Sequence, residues 1–76
     1  MPRPAGSARL AKQVGARIRE LRERANVTQE QLAWSSDLGK GYLSQIEAGK
    51  RLPSLAVLGA IAKSLRVSLR ETLPEE

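Results

Sequence analysis

The apolar residues of this chain fall into runs at helical spacing, separated by short polar breaks. Leu10, Val14, Ile18 and Leu21 recur every three or four positions with Arg and Lys between them, which predicts a first helix from about Ala8 to Arg24. The next start signal is unusually complete. Thr28 is a capping residue, Gln31 follows three positions later as a capping-box partner, and Val27 is placed to staple onto Leu32. A second helix therefore begins at Gln29, and it is short, because Ser35, Ser36, Asp37 and Gly39 favour caps and turns. Periodicity resumes with Leu43 and Ile46, and Gly49 supplies a left-handed cap that closes a third short helix, with Lys50 and Arg51 beside it. Pro53 and Ser54 introduce a fourth helix, whose stripe comprises Leu55, Leu58, Ile61, Ala62 and Leu65. Ser68 and Glu71 repeat the capping-box spacing, which predicts a fifth helix of one or two turns ending near Leu73, before Pro74.

No segment alternates like a strand, so the expected class is all-α, a compact five-helix bundle. The expected division is a basic N-terminal arm over residues 1–7, one folded domain over 8–73 and a tail over 74–76. At 76 residues the chain has room for one modest core. Charge then narrows the choice of partner. Thirteen basic residues against eight acidic ones give +5, and the excess arises in residues 1–24, which hold seven basic and two acidic side chains. Such a balance favours a polyanionic partner. With no Cys and no His, zinc sites, thiol nucleophiles and imidazole acid–base chemistry are excluded from this chain acting alone, and no metal or cofactor is expected. The N-terminal MPRPAGSAR lacks an apolar signal region and no run of apolar residues is long enough to span a bilayer, so a cytoplasmic, nucleoid-associated location is expected.

The candidate chemistry lies in DLGKGYLSQIEAGK, residues 37–50. With Lys40 at zero and about 100° per residue, Ser44, Gly41 and Gln45 fall at roughly 40°, 100° and 140°. Ile46, Leu43 and Glu47 fall at roughly 240°, 300° and 340°. One arc is apolar; the other presents an ammonium, a hydroxyl, a carboxamide and a patch with no side chain. These are the donors and acceptors that read base edges in a major groove. Two short helices joined by a tight turn, with Ala33 small at the crossing and Leu32, Leu43 and Ile46 shared between them, describe a helix-turn-helix.

The segment TQEQLAWSSDLGKGYLSQIEAGKRLPSL, with its Q-x-x-L-A and L-S-Q-I-E-x-G-K-R-x-P-S spacing, resembles the helix-turn-helix of the phage Cro and repressor type, also called the xenobiotic-response-element family. The likeness covers about residues 12–73. It implies a lambda-repressor-like domain that binds double-stranded DNA, usually as a homodimer, and regulates transcription as a repressor or activator; restriction-modification controller proteins are stand-alone members of this length. It further implies that Gln29 meets a phosphate, that Lys40, Gly41, Ser44 and Gln45 face bases, and that Tyr42, Lys50 and Arg51 reach the DNA backbone. Glu47 matches an acidic residue paired with an arginine of helix one, here Arg22. Asp37 stands where the family usually has glycine at the turn, and Gly39 replaces the usual Ser or Thr cap.

Other readings stand beside these. Lys40, Ser44 and Gln45 also suit an ordinary solvated face, Lys50 and Arg51 complement a helix dipole, and Gln29 and Gln31 suit capping alone, which is the preferred reading of Gln31. Arg3 and Arg9 either enter a minor groove or belong to a solubilising tail. Trp34 is either exposed or packed on the first helix. Val57, Val67, Leu69 and Leu73 form either a two-fold dimer contact or the seat of helix five. The alternative function is a protein-interaction module, such as an antitoxin covering its partner with helices four and five. Membrane-surface binding through the cationic first helix is disfavoured, since its apolar positions are needed for the core. An enzyme is disfavoured because Glu20, Glu23 and Glu30 lie on polar faces.

Overall fold

The computed structural model describes residues 5–74 and is helical throughout, with no strand among the described residues. Four α-helices, α1 (Ala5–Arg24), α2 (Gln29–Ser35), α3 (Lys40–Glu47) and α4 (Leu55–Leu65), precede a single 3₁₀ turn over Leu69–Thr72. The expected fifth helix is therefore a 3₁₀ segment. Only four residues separate Ser68 from Leu73, too few to propagate an α-helix, and Pro74 has no N–H with which to extend it. Helix α1 starts at Ala5 rather than at Ala8. Ala5 and Ala8 are strong helix formers, and Gly6 falls in the first turn, where interior propensity counts least. Arg3 and residues 75–76 lie outside the described residues.

Local chemistry sets the helix boundaries. The Thr28 hydroxyl accepts from the Gln31 backbone at 3.0 Å while the Gln31 carboxamide accepts from the Thr28 backbone at 2.9 Å, completing the capping box. At the start of α4, the Ser54 hydroxyl accepts from the Val57 N–H at 3.1 Å. Gly49 adopts φ +78°, and the Gly49 and Lys50 N–H groups close the end of α3 onto the carbonyls of Ile46 and Gln45 at 3.0 and 2.9 Å. Asp37 takes the left-handed conformation required at the turn, with φ 59°. Asn26 and Arg66 do the same at the ends of α1 and α4.

The core is a single cluster. Val14, Ile18 and Leu21 of α1 meet Leu32 and Ala33 of α2, Leu43 and Ile46 of α3, and Leu58, Ile61 and Leu65 of α4. Helix α1 packs on α3 and on the 3₁₀ turn, and α2 packs on α3 and α4. The hydroxyls of Ser35 and Ser64 touch where α2 passes the end of α4. Arg17 anchors the 3₁₀ turn by donating from Nε to the Glu71 carbonyl at 2.8 Å. Leu55, expected in the buried stripe, is exposed at the first position of α4, and Trp34 is 87% exposed at the far end of α2. Val57, Val67 and Leu69 pack against the core with part of their surface, whereas Leu73 remains exposed.

Two glycines let α1 approach the end of α3. A Cβ on Gly15 would penetrate the carbonyl oxygen of Ile46 and lie 3.0 Å from that of Glu47. A Cβ on Gly49 would lie 2.8 Å from the Cγ of Lys12 and 2.9 Å from its Cα. Gly41, by contrast, has nothing within 4 Å of where its Cβ would stand. Gly15→Ala is expected to lower the unfolding free energy by about 1 to 3 kcal/mol, the usual cost of overpacking, although alanine is the better helix former by about 1 kcal/mol. Gly41→Ala is expected to raise it by about 0.5 to 1 kcal/mol. Urea unfolding followed by circular dichroism measures both, and equal effects at the two positions would contradict the close approach of α1 to α3.

Candidate nucleic-acid interface

Helix α3 is sorted cleanly by burial. Leu43 and Ile46 are fully buried against α1 and α2, while Lys40, Gly41, Ser44 and Gln45 are exposed on the opposite face. Tyr42 lies at the border, half-buried against the core. The Arg51 guanidinium carbon stands 5.8 Å from the centre of the Tyr42 ring, within cation–π range. The ring therefore limits the directions available to Arg51. Lys50 and Arg51 are exposed just beyond the cap of α3, so the two cations continue the polar face of the helix.

Beneath that face, Arg22 and Glu47 form a bidentate ion pair, with Nε 2.7 Å from Oε2 and Nη2 3.1 Å from Oε1. Their side chains are only 12% and 3% exposed. The Arg22 Nη1 also donates to the Val27 carbonyl at 2.8 Å, fixing the chain between α1 and α2. The Gln29 carboxamide donates to Glu47 Oε1 at 3.0 Å. Gln29, implied as a phosphate contact, is thus held partly beneath the surface by the carboxylate of the recognition helix. The hydrogen bond to Glu47 is the main cause raising the Arg22 guanidinium above the ordinary arginine value; burial opposes it, and the attraction of the Glu47 charge adds to it.

A depression of about 520 Å³ opens above this pair, between the ends of α1, α2 and α3. Gln29, Lys40 and Ser44 line it, together with Arg19 and Glu30, which were not among the sequence candidates. The missing signal for Gly15 was available: an isolated glycine in the interior of a long helix costs about 1 kcal/mol and asks for a reason. Arg19 offered less, since it is one of several arginines spaced along the same helix, with Arg17, Arg22 and Arg24. Among the described residues no group of acidic side chains is placed to hold a metal ion, and no helix is long and apolar enough to cross a membrane.

Comparison with known proteins places this geometry in a context. The helix-turn-helix domain family matches residues 13–74. An HTH-type transcriptional regulator of Mycobacterium tuberculosis is 54% identical over 54 residues, which are 71% of this chain and 39% of that protein. The chain thus spans about two fifths of the length of this relative. The control protein C.BamHI of Bacillus amyloliquefaciens is 38% identical over 60 residues, 78% of this chain and 74% of its own. Among solved structures, the restriction-modification controller protein C.AhdI of Aeromonas hydrophila superposes with a TM-score of 0.81 at 35% identity, covering 83% of this chain and 96% of that one.

Breaking the buried pair from one side strands the other charge. Glu47→Leu or Arg22→Met alone is expected to cost about 3 to 5 kcal/mol, whereas the two together are expected to recover most of the loss. Because the folded-state pKa of Arg22 is raised, its contribution to stability is complete at every pH below the ordinary arginine range and is lost only as pH rises through the raised value. Denaturant titrations of the double-mutant cycle at neutral pH and at pH 10 check both statements; a wild-type loss between those pH values traced by the cycle to this pair would contradict the second.

Proposed function

The chain belongs to the helix-turn-helix family of DNA-binding transcriptional regulators, and on that footing we propose that it binds a two-fold symmetric operator as a homodimer, with α3 in the major groove. The observation that carries this reading is the division of α3: Leu43 and Ile46 are sealed inside while Lys40, Ser44 and Gln45 stand free on the outer face. The Gln45 carboxamide offers the donor–acceptor pair that matches an adenine edge, Lys40 suits guanine acceptors and Ser44 suits either. Gly41 keeps the backbone accessible between them. Gln29, Tyr42, Lys50 and Arg51 are assigned to the phosphate backbone, with Arg51 steadied by the Tyr42 ring.

The dimer is assigned to α4 and the 3₁₀ turn, where Val57, Val67 and Leu69 retain part of their surface and Leu73 is exposed. A two-fold contact there places equivalent α3 helices about 34 Å apart, one duplex turn. The cationic front of the chain adds long-range attraction to the phosphate contacts of Lys50 and Arg51. The protein acts by occupancy, blocking or recruiting polymerase at the site it covers.

Selection from random duplexes with purified protein tests the reading. The expected result is an inverted repeat with half-sites about 10 base pairs apart. Gln45→Ala is expected to cost about 1 to 3 kcal/mol and to relax preference at one position of each half-site, whereas Arg51→Ala weakens every sequence alike and reduces the salt slope by about 1. Recovery of no motif from wild-type protein would remove the functional reading, and an unchanged motif with Gln45→Ala would remove the base-reading assignment.

A further inference from the structure

We propose that Arg19 is a DNA phosphate ligand, reaching from α1 over the depression between the ends of α1, α2 and α3. The inference rests on the reading of α3 as the groove-binding helix and adds to it a contact supplied by α1. Arg19 from α1 and Lys40 from α3 both line the depression, together with Gln29 and Ser44 as neutral hydrogen-bonding groups. Charge balance leaves these two cations available. Glu47 is already matched by Arg22 through two hydrogen bonds, so the carboxylate in the floor draws little on its neighbours. Glu30 is the one further acidic group in the lining, which leaves the rim with an excess of positive charge.

Arg19 itself is loosely held. Among the described residues its one ion pair is a single contact from Nε to Glu23 Oε2 at 3.3 Å, and its side chain is 64% exposed. Such an exposed i,i+4 pair contributes little, so turning the guanidinium from Glu23 towards a phosphate gives up little. The planar guanidinium then offers paired donors that match two phosphate oxygens. The volume of about 520 Å³ admits a phosphodiester with its water. Arg24 provides the contrast: it is equally exposed and also held in an i,i+4 pair, with Glu20 at 2.8 Å, but it does not line this depression, and Glu20 faces a different groove, against the 3₁₀ turn.

The test combines salt titration with single neutral phosphates. Wild type, Arg19→Gln and Arg24→Gln are titrated by fluorescence anisotropy with the selected operator and with an unrelated duplex. Each duplex is measured between 50 and 200 mM salt. Arg19→Gln is expected to reduce the salt slope by about 0.9 on both duplexes, so that over this fourfold range it loses about 3.5-fold less affinity than wild type. Arg24→Gln is expected to follow wild type. Methylphosphonates placed one at a time along the operator are then expected to reveal one position per half-site that weakens wild type and leaves Arg19→Gln unaffected. If wild type is salt-sensitive and specific but Arg19→Gln matches it in slope, or if every methylphosphonate weakens both proteins equally, the Arg19 contact is overturned while the DNA-binding reading stands. If wild type itself binds neither duplex, the failure lies in that reading.

Discussion

The guanidinium of Arg22 is the junction on which this small fold turns. It joins three stretches of chain at once: α1, which carries it; the α1–α2 connection, through the Val27 carbonyl; and the end of α3, through Glu47. A buried pair of charges adds little net stability over an apolar replacement, because desolvation offsets most of the attraction. Its particular value is directional. Two parallel hydrogen bonds accept one orientation of carboxylate and guanidinium, whereas apolar packing among core residues such as Ile18, Leu43 and Ile46 tolerates sliding. Gly15 and Gly49 complete the junction by letting the backbones of α1 and α3 come within reach.

The surface that meets solvent is a product of this junction. Helix α3 has eight residues, no side-chain hydrogen bond at its Gly39 cap and a glycine in its second position. Such a peptide has little helical tendency alone. It is helical here because Leu43 and Ile46 are sealed in the core and Glu47 is tied down, which fixes the rotation of the helix about its axis. Lys40, Ser44 and Gln45 consequently leave a rigid base in set directions, the condition for reading a groove without a large ordering cost.

Much of this was legible in the sequence wherever the deciding interaction is local. The Thr28 and Gln31 box, the Ser54 cap, the left-handed Gly49 and the two faces of α3 all follow from spacings of four residues or fewer. The tolerance of Asp37 for its left-handed turn follows in the same way. Contacts between distant segments were less readable. That Gln29 gives its carboxamide to Glu47 depends on a meeting across 18 positions, and periodicity is silent about it. Gly15 escaped because a reading based on apolar positions attends to side chains that are present, and its role is to have none. The left-handed Arg66 carries no residue signal at all, and whether Leu69–Thr72 is 3₁₀ or α turns on one hydrogen-bond register.

The placement of Trp34 has a practical corollary. It is the sole tryptophan, and it stands almost wholly in water at the end of α2. The indole meets much the same dielectric before and after the chain unravels, so its emission maximum is a poor gauge of cooperative melting here. That exposure makes the same fluorophore a sensitive reporter of anything that settles on this corner of the molecule.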